Sequence, residues 1–539
     1  MMNNKITNLI LSVFKNLNIE DVCISPGARN TPLIQGFANF NFKTHFILDE
    51  RSSGFYALGI AKKTKRPVVV CCTSGTALAN LFPAIIEARM SENPLIILTA
   101  DRPKASIGKG ENQTIYQNNI YGKYVCHNTS IDLTDKKESI IDKINIAINS
   151  SLGSINEVRL SEKGPVHINV HIDEPLINSE LPDKNIEDVF LKPIKPILTN
   201  NIFSIDKNVS KPIIICGQSD LKDKKNHIFE ISNKINAPIL ADISSNVNGG
   251  SNVISFYDHF IDKLQAPDLI LRFGSMPQSK KLISLIKNYN DRTYLFRSRK
   301  IFNDDVLKSN IYTFIDKKSY LQTNVDWLNL FKDKDALINK YIYNSFVDFD
   351  LNEYAFAYDF IEKIPENSNV FIGNSLIIRA FNIFSKKNKK RIKFFSNRGV
   401  SGIDGNLSTA LGIASKSKKN NYLIIGDQSF MHDIGALQIL VEKDINLSVF
   451  IINNFGGAIF DYLPISKQIE SKIFKRFVRN EHKISFQSIV ESYRLDYRKI
   501  TSMDDLNNTK MDKKRVYELI IEGKNSLKFI RQFSTSLIK

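Results

Sequence analysis

The chain has 539 residues, 42% of them hydrophobic and 24% charged, which is the composition of a globular protein and excludes a fibrous or largely disordered one. That length exceeds what one ordinary hydrophobic core organises, so several domains are expected, and three fit best. The formal net charge of +17 raises the question of nucleic acid, but the lysines are dispersed among asparagines and isoleucines rather than gathered into aromatic-laced patches, which favours a solvated basic surface, no nucleic-acid partner and compatibility with small acidic substrates.

The first segment, MMNNKITNLILSVFKNLNI, reads as an amphipathic helix without the apolar core of an export signal. No stretch is apolar enough to insert in a membrane, so a cytoplasmic location is expected. Short β-branched runs then alternate with helical patterns, the signature of parallel α/β layers. VCISP (22–26), HFILD (45–49), PVVVCC (67–72), PLIILTA (94–100) and VHINVHI (166–172) are the strands of a first domain, 1–182, with RSSGFYALGIAKKTK and GTALANLFPAIIEARM as crossover helices. The charged, proline-punctuated segment SELPDKNIEDVFLKPIKP has no clean period and reads as a linker. A second domain, 183–347, carries PIIICG, APILAD, DLILRFG and TYLFR, and a third, 348–539, carries NVFIG, KFFSN, YLIIGD, LSVFIINN and YELIIEG. Each set resembles the others in layout, although no sequence repeat of fixed period is visible. The five cysteines (Cys23, Cys71, Cys72, Cys126, Cys216) form no CxxC pair and read as buried thiols.

Three places carry candidate chemistry. GDQSFMHDIGALQIL…LSVFIINNFGGAIF puts Asp427 at the end of an apolar strand, and a second strand delivers Asn453, Asn454, Gly456 and Gly457. A carboxylate, an amide oxygen and an approachable backbone carbonyl are hard oxygen ligands of the kind Mg²⁺ takes beside a diphosphate. Either half alone reads as a plain turn; the two together favour a metal. The second place is FILDERSSGFYALGIAK, where Glu50 opens a helix just past a strand. Alone, Asp49 and Glu50 read equally as helix-start acids. The third comprises SPGARNTP and CTSGTALAN, strand-to-helix turns whose small residues let backbone approach a planar ligand.

LDERSSGFYALGIAK, CTSGTALANLFPAIIEA, LTADRP and the paired GD…NNFGG elements resemble the thiamine diphosphate-dependent decarboxylase superfamily. SPGARNTPL, TADRP, ENQTI, GNSLIIR, SNRGVSGIDGNLSTALGIA and NNFGGAIFDYLP resemble its menaquinone-pathway synthase branch. The resemblance covers the first and third domains and is thin across the middle one. It implies the thiamine diphosphate-binding fold: three α/β domains, each a mostly parallel sheet flanked by helices, for the pyrimidine, a central function and the diphosphate with its metal. The implied reaction decarboxylates 2-oxoglutarate and adds the succinyl carbanion equivalent to isochorismate.

The resemblance also assigns roles. Glu50 hydrogen-bonds the aminopyrimidine N1′ and favours the tautomer that deprotonates the thiazolium, which calls for an apolar pocket and a raised pKa. Asp427, Asn454 and the Gly456 carbonyl bind Mg²⁺, or Mn²⁺, and Gly426, Gln428 and Ser429 adjoin the phosphates. Ile403 matches the residue that props the cofactor in its bent shape, and equally an ordinary core isoleucine. Both substrates are dianions, for which Arg29, Arg102, Lys280, Lys281, Arg379 and Arg398 are the implied cations, with Gln113 and Ser375 as neutral partners. Ile459, Phe460 and Leu463 form the implied apolar wall. Three positions depart from the family pattern: Ala28 stands for serine, Lys281 for arginine, and GDQ for the superfamily's GDG. Because Glu50 and Asp427 fall in different domains, the resemblance implies a site shared between subunits of a homodimer or homotetramer. The alternatives are another thiamine diphosphate-dependent 2-oxo acid decarboxylase, an acetolactate synthase-like carboligase, or a silent basic RNA-binding relative.

Overall fold

Apolar β-branched runs form most of the buried strands, and most of those in the first and third sheets are followed by a helix that returns the chain in the same direction. The computed structural model describes residues 2–153, 162–177, 202–219, 221, 224–297, 311–312, 314–320, 324–346, 350–386, 390–511, 514–522 and 524–536. The first sheet contains β1 (Asp21–Ile24), β2 (Lys43–Phe46), β3 (Val68–Cys72), β4 (Leu95–Asp101), β5 (Asn128–Ile131) and β6 (Val166–His171), in the order β2-β1-β3-β4-β6-β5. Next come β7 (Ile202–Phe203), β8 (Pro212–Cys216), β9 (Ile239–Ala241), β10 (Val253–Ile254), β11 (Leu269–Phe273), β12 (Thr293–Phe296), β13 (Ile311–Tyr312) and β14 (Phe314–Ile315). Six of these make the middle sheet, β10-β9-β8-β11-β12-β13, while β7 pairs with β14. The third sheet holds β15 (Asn369–Ile372), β16 (Lys393–Phe395), β17 (Asn421–Gly426), β18 (Ser448–Asn453), β19 (Asp496–Ile500) and β20 (Arg515–Ile520), in the order β16-β15-β17-β18-β20-β19. Every strand pair in the three large sheets is parallel. Three α/β layers with helix crossovers are therefore the architecture the alternation of patterns called for.

The layouts are not all alike. Counted within each sheet, the first and third share one order, 2-1-3-4-6-5, whereas the middle sheet runs 3-2-1-4-5-6, which corrects the expectation of three equivalent sets. The boundaries at 182/183 and 347/348, and the linker between the first two domains, lie outside the described residues. Edge strands carried little apolar signal: β5 reads NTSI and β19 reads DYRKI, and β2 lies at Lys43–Phe46, reading KTHF, rather than at the expected 45–49; all three are at the rim of a sheet, where a polar face is tolerated. Cys23, Cys71, Cys72 and Cys216 are buried and Cys126 partly so, and all five are free thiols. Among the described residues no helix is long and apolar enough to cross a membrane.

The third domain shares cores with both others. One cluster joins Phe55, Tyr56 and Leu58 of the first domain to Leu411, Ile413 and Leu423 of the third. Another joins Ile213, Phe256 and Trp327 to Phe356, Phe381 and Phe450. The first contact depends on two glycines. The helix Glu50–Thr64 crosses the helix Asn406–Ser415 so closely that a Cβ on Gly59 would lie 2.1 Å from the Thr409 carbonyl oxygen, and one on Gly412 2.0 Å from that of Tyr56. Only residues without a side chain allow the two backbones to touch there.

Candidate active site

In a sheet ordered 2-1-3-4-6-5 the crossovers change direction between the first and third strands, and the carboxyl ends at that point form a crevice. In the third sheet this is the β15/β17 junction. The register Gly426↔Ile452 sets Asp427 level with Asn453, so the turn after β17 meets the Asn454–Gly457 turn after β18. Asp427 is buried, and its Oδ2 accepts the Gly456 N–H at 2.8 Å. His482 Nε2 lies 3.2 Å from the same oxygen. Gly456, at φ +136°, approaches the Arg479 and Asn480 carbonyls more closely than a side chain would permit. Asn454 donates through Nδ2 to Glu353 at 2.9 Å, while its Oδ1 is buried with no hydrogen-bond partner. An orphaned amide oxygen beside a buried carboxylate that retains unused lone pairs fits a hard divalent cation.

The neighbouring residues are engaged otherwise. Gln428 sends its amide to the Arg479 carbonyl at 3.1 Å, and the Ser429 hydroxyl donates to the Ile403 carbonyl at 2.6 Å. Ile403 itself is exposed on the loop before the helix Asn406–Ser415, not in the core. That removes the ordinary-core alternative for this residue.

Glu50 is the first residue of its helix, which Asp49 caps by accepting the Ser52 N–H at 2.9 Å. Its Oε2 accepts from Asn80 at 3.1 Å. The apolar enclosure expected around this carboxylate is not supplied by its own chain: Glu50 is only partly buried, and Phe46 and Leu48 just before it are 53% and 60% exposed. The two strand-to-helix turns of the first domain do meet at the β1/β3 junction, where a Cβ on Gly27 would strike the Thr73 side chain at 2.2 Å.

The cations gather in two pairs. Arg29 and Arg102 converge on Glu174, at 3.2 and 3.9 Å, and burial, followed by the repulsion of Arg102, lowers the Arg29 pKa. Arg398 donates to Asn374 at 3.1 Å and Arg379 to the Ser375 carbonyl at 2.5 Å. Burial and then Arg379 lower the Arg398 pKa, and its Nε is buried without a partner. Two guanidiniums held together at low dielectric with an unused donor suit an anionic ligand. The remaining residues are less engaged. Gln113 is exposed in a left-handed turn at φ +54°, Lys280 is exposed, and Lys281 pairs with Asp262 at 2.8 Å. Ile459 and Phe460 are partly buried just after the Asn454–Gly457 turn, whereas Leu463 is exposed.

Comparison with known proteins places this geometry. Residues 4–120 match the thiamine pyrophosphate enzyme N-terminal TPP binding domain, and residues 377–514 match the C-terminal TPP binding domain. A protein of Lysinibacillus sphaericus named 2-succinyl-5-enolpyruvyl-6-hydroxy-3-cyclohexene-1-carboxylate synthase is 31% identical over 91% of this chain and 90% of its own length. The proteins of the same name from Bacillus pumilus and Desulfitobacterium hafniense are each 33% identical, over 86% and 92% of this chain and 85% and 92% of their own. The chain belongs to the 2-succinyl-5-enolpyruvyl-6-hydroxy-3-cyclohexene-1-carboxylate synthase family. It is a thiamine diphosphate-dependent enzyme, with a cofactor domain at each end.

Seen as a synthase of this family, the site has parts that no motif announced. Glu353, at the start of the third domain, is buried and accepts from Asn454 and from the Ser526 hydroxyl; burial raises its carboxyl pKa to about 7. Arg479 bonds Asp461 at 2.9 Å and the Asn454 carbonyl at 3.3 Å, holding the Asn454–Gly457 turn. The segment from Phe474 to His482 has no apolar period, so only its packing against Asn454–Gly457 marks it. Beside Arg398, a cavity of about 530 Å³ opens where the three domains meet, between Gln218, Ser275, Arg297 and Gly399.

Proposed function

We propose that this chain decarboxylates 2-oxoglutarate and adds the succinyl unit to isochorismate, forming 2-succinyl-5-enolpyruvyl-6-hydroxy-3-cyclohexene-1-carboxylate without release of pyruvate, in menaquinone or phylloquinone biosynthesis. The name shared by relatives matched over about nine-tenths of the chain supports this reading. The observation on the molecule that carries it is the Arg379–Arg398 pair, neither member of which is ion-paired among the described residues. A 2-oxo acid with a methyl or aryl side chain brings a single carboxylate, whereas two dicarboxylate substrates bring four and favour clustered guanidiniums.

Bound thiamine diphosphate supplies the electron sink for decarboxylation and carbon–carbon bond formation. Glu50 holds a proton at the aminopyrimidine N1′. Asp427 Oδ, Asn454 Oδ1 and the Gly456 carbonyl would hold Mg²⁺, for which Mn²⁺ could substitute, with Gly426, Gln428 and Ser429 alongside the diphosphate. Ile403 would support the cofactor. Arg29 and Arg102 with Gln113, Arg379 and Arg398 with Ser375, and Lys280 and Lys281 receive the substrate carboxylates, while Ile459, Phe460 and Leu463 exclude water from the acceptor ring. Residues 1–182 form the pyrimidine-binding domain, 183–347 the central domain and 348–539 the diphosphate-binding domain. The partly buried Glu50 beside exposed Phe46 and Leu48 supports a site completed by a second copy, in a homodimer or a dimer of dimers.

The test is turnover by the purified protein with thiamine diphosphate and Mg²⁺. Consumption of 2-oxoglutarate only when isochorismate is present, with the adduct detected by mass, is the expected result. Consumption of pyruvate alone, giving acetolactate, would replace this reading with the acetolactate synthase-like one.

A further inference from the structure

The loop Ser396–Ile403 joins β16 to the helix Asn406–Ser415 and carries Arg398 and Ile403, yet two of its strongest restraints come from another domain. The Glu87 carboxylate, in the helix Phe82–Met90, accepts the Gly399 N–H at 2.9 Å on Oε1 and the Val400 N–H at 2.8 Å on Oε2. Lys62, in the helix Glu50–Thr64, donates to Glu87 at 3.3 Å and to the Ser396 carbonyl at 2.8 Å. Lys62 and Glu87 are both buried, at 7% and 2% exposure, so this ion pair is sheltered from solvent. Position 399 has to be glycine for the fit, since a Cβ there would lie 2.9 Å from Glu87 Oε2 and 2.7 Å from its carbonyl oxygen. On the opposite side, Asn374 donates to the Asn397 and Gly402 carbonyls at 2.7 Å each and accepts from Arg398.

An ion pair that served only to join two helices would spend its acceptors on the cation. Here one carboxylate takes two consecutive backbone amides at the base of a loop that bears an anion-binding arginine. Charge-assisted bonds of this kind fix backbone position strongly in a dry site.

We propose that Glu87 is a positioning residue for substrate binding: by bridging the Gly399 and Val400 amides it sets the Arg398 guanidinium against the substrate carboxylate. This rests on the role given to Arg398 above. The first domain then contributes twice, once through Glu50 and once through the carboxylate that shapes the loop of its own chain's third domain. Glutamine is the informative replacement. Its amide can accept from one of the two N–H groups but must point a donor at the other, so the loop shifts although the side-chain volume is unchanged.

The experiment compares Glu87→Gln, the Lys62→Met/Glu87→Gln double variant, which leaves no orphaned cation, Arg398→Ala as the reference for the affected substrate, and Leu11→Ala, a truncation in a core cluster that does not include the loop. Steady-state KM for each substrate, calorimetric binding of thiamine diphosphate with Mg²⁺, melting temperature and hydrogen exchange of the segment 396–403 are measured on each. Both Glu87 variants should raise, by about tenfold, the KM of the same substrate that Arg398→Ala raises, with cofactor affinity changed less than about threefold. Both should also lose exchange protection at Gly399 and Val400. Leu11→Ala should lower the melting temperature with wild-type KM and exchange. Turnover by the unaltered enzyme is the control for the assigned reaction, and exchange reads the clamp with or without it. Wild-type KM values in the Glu87 variants, or unaltered exchange at the two amides, would overturn the proposal.

Discussion

Asn454 gives its side-chain N–H to the buried Glu353 across 2.9 Å, and this leaves its Oδ1 facing inward with no hydrogen-bond partner. An amide can turn either end toward a metal, and the carboxylate of Glu353 selects the oxygen end, because the opposite orientation would set two acceptors against each other. Residues that orient a ligand in this way commonly contribute ten- to hundredfold to metal affinity. Glu353→Leu should therefore weaken Mg²⁺ activation by roughly that factor. A magnesium titration of activity checks this, and an unchanged activation constant would mean that Asn454 finds its orientation elsewhere.

The crossing of the helices Glu50–Thr64 and Asn406–Ser415 has no room for a side chain, since the nearest carbonyl lies 2.0 Å from a Cβ placed on Gly412. Gly412→Val should force the helices apart and destabilise the protein by about 3 kcal/mol or more, the cost of overpacking a tight contact. Denaturant unfolding measures it; a loss below about 0.5 kcal/mol would show that the interface yields freely.

The pH dependence of stability has a definite sign. Burial raises the Asp242 carboxyl to about 7 and that of Asp433 to about 6, both from 3.8. The folded protein thus keeps protons that the unfolded chain has already released, so the contribution of each group is full below about pH 4 and is lost as pH rises through the folded value. Asp242→Asn should flatten the stability profile between about pH 4 and 7 by removing one such group. Chemical denaturation at several pH values gives the comparison, and parallel profiles for the two proteins would contradict it.

Phe46 and Leu48 lie next to the catalytic candidate and are more than half exposed. Light scattering should find a dimer or tetramer, and the double substitution Phe46→Glu/Leu48→Glu should shift it toward monomer and abolish turnover together. An active monomer would break the inference that a second copy completes the site.

What could be read in the residues before folding was whatever followed an apolar strand. Asp427, Asn454 and Arg102 stand just past such runs, and parallel sheets place their chemistry at those ends, whereas Glu50 follows the short, largely exposed strand Lys43–Phe46. Polar edge strands such as NTSI and DYRKI gave no period to detect, because a rim strand needs only one buried side. The order of the middle sheet was equally hidden, since strand order is decided by which crossovers pack, not by the strands themselves. Glu353, Glu87 and Arg479 are single charged residues in unremarkable segments, and their importance arises only when tertiary packing buries them against backbone amides or a ligand side chain. Glu50 shows the converse: its place in a motif was plain, but the apolar surroundings expected for it are not provided by one chain.

The most direct test of the whole account is Glu50→Gln, with 2-oxoglutarate- and isochorismate-dependent product formation measured beside calorimetric binding of thiamine diphosphate and Mg²⁺. Loss of the carboxylate proposed to hold the N1′ proton should lower kcat by about 10²–10⁴-fold while cofactor and metal still bind within about tenfold of the unaltered enzyme. Turnover within about threefold of wild type would contradict the central role given to this side chain.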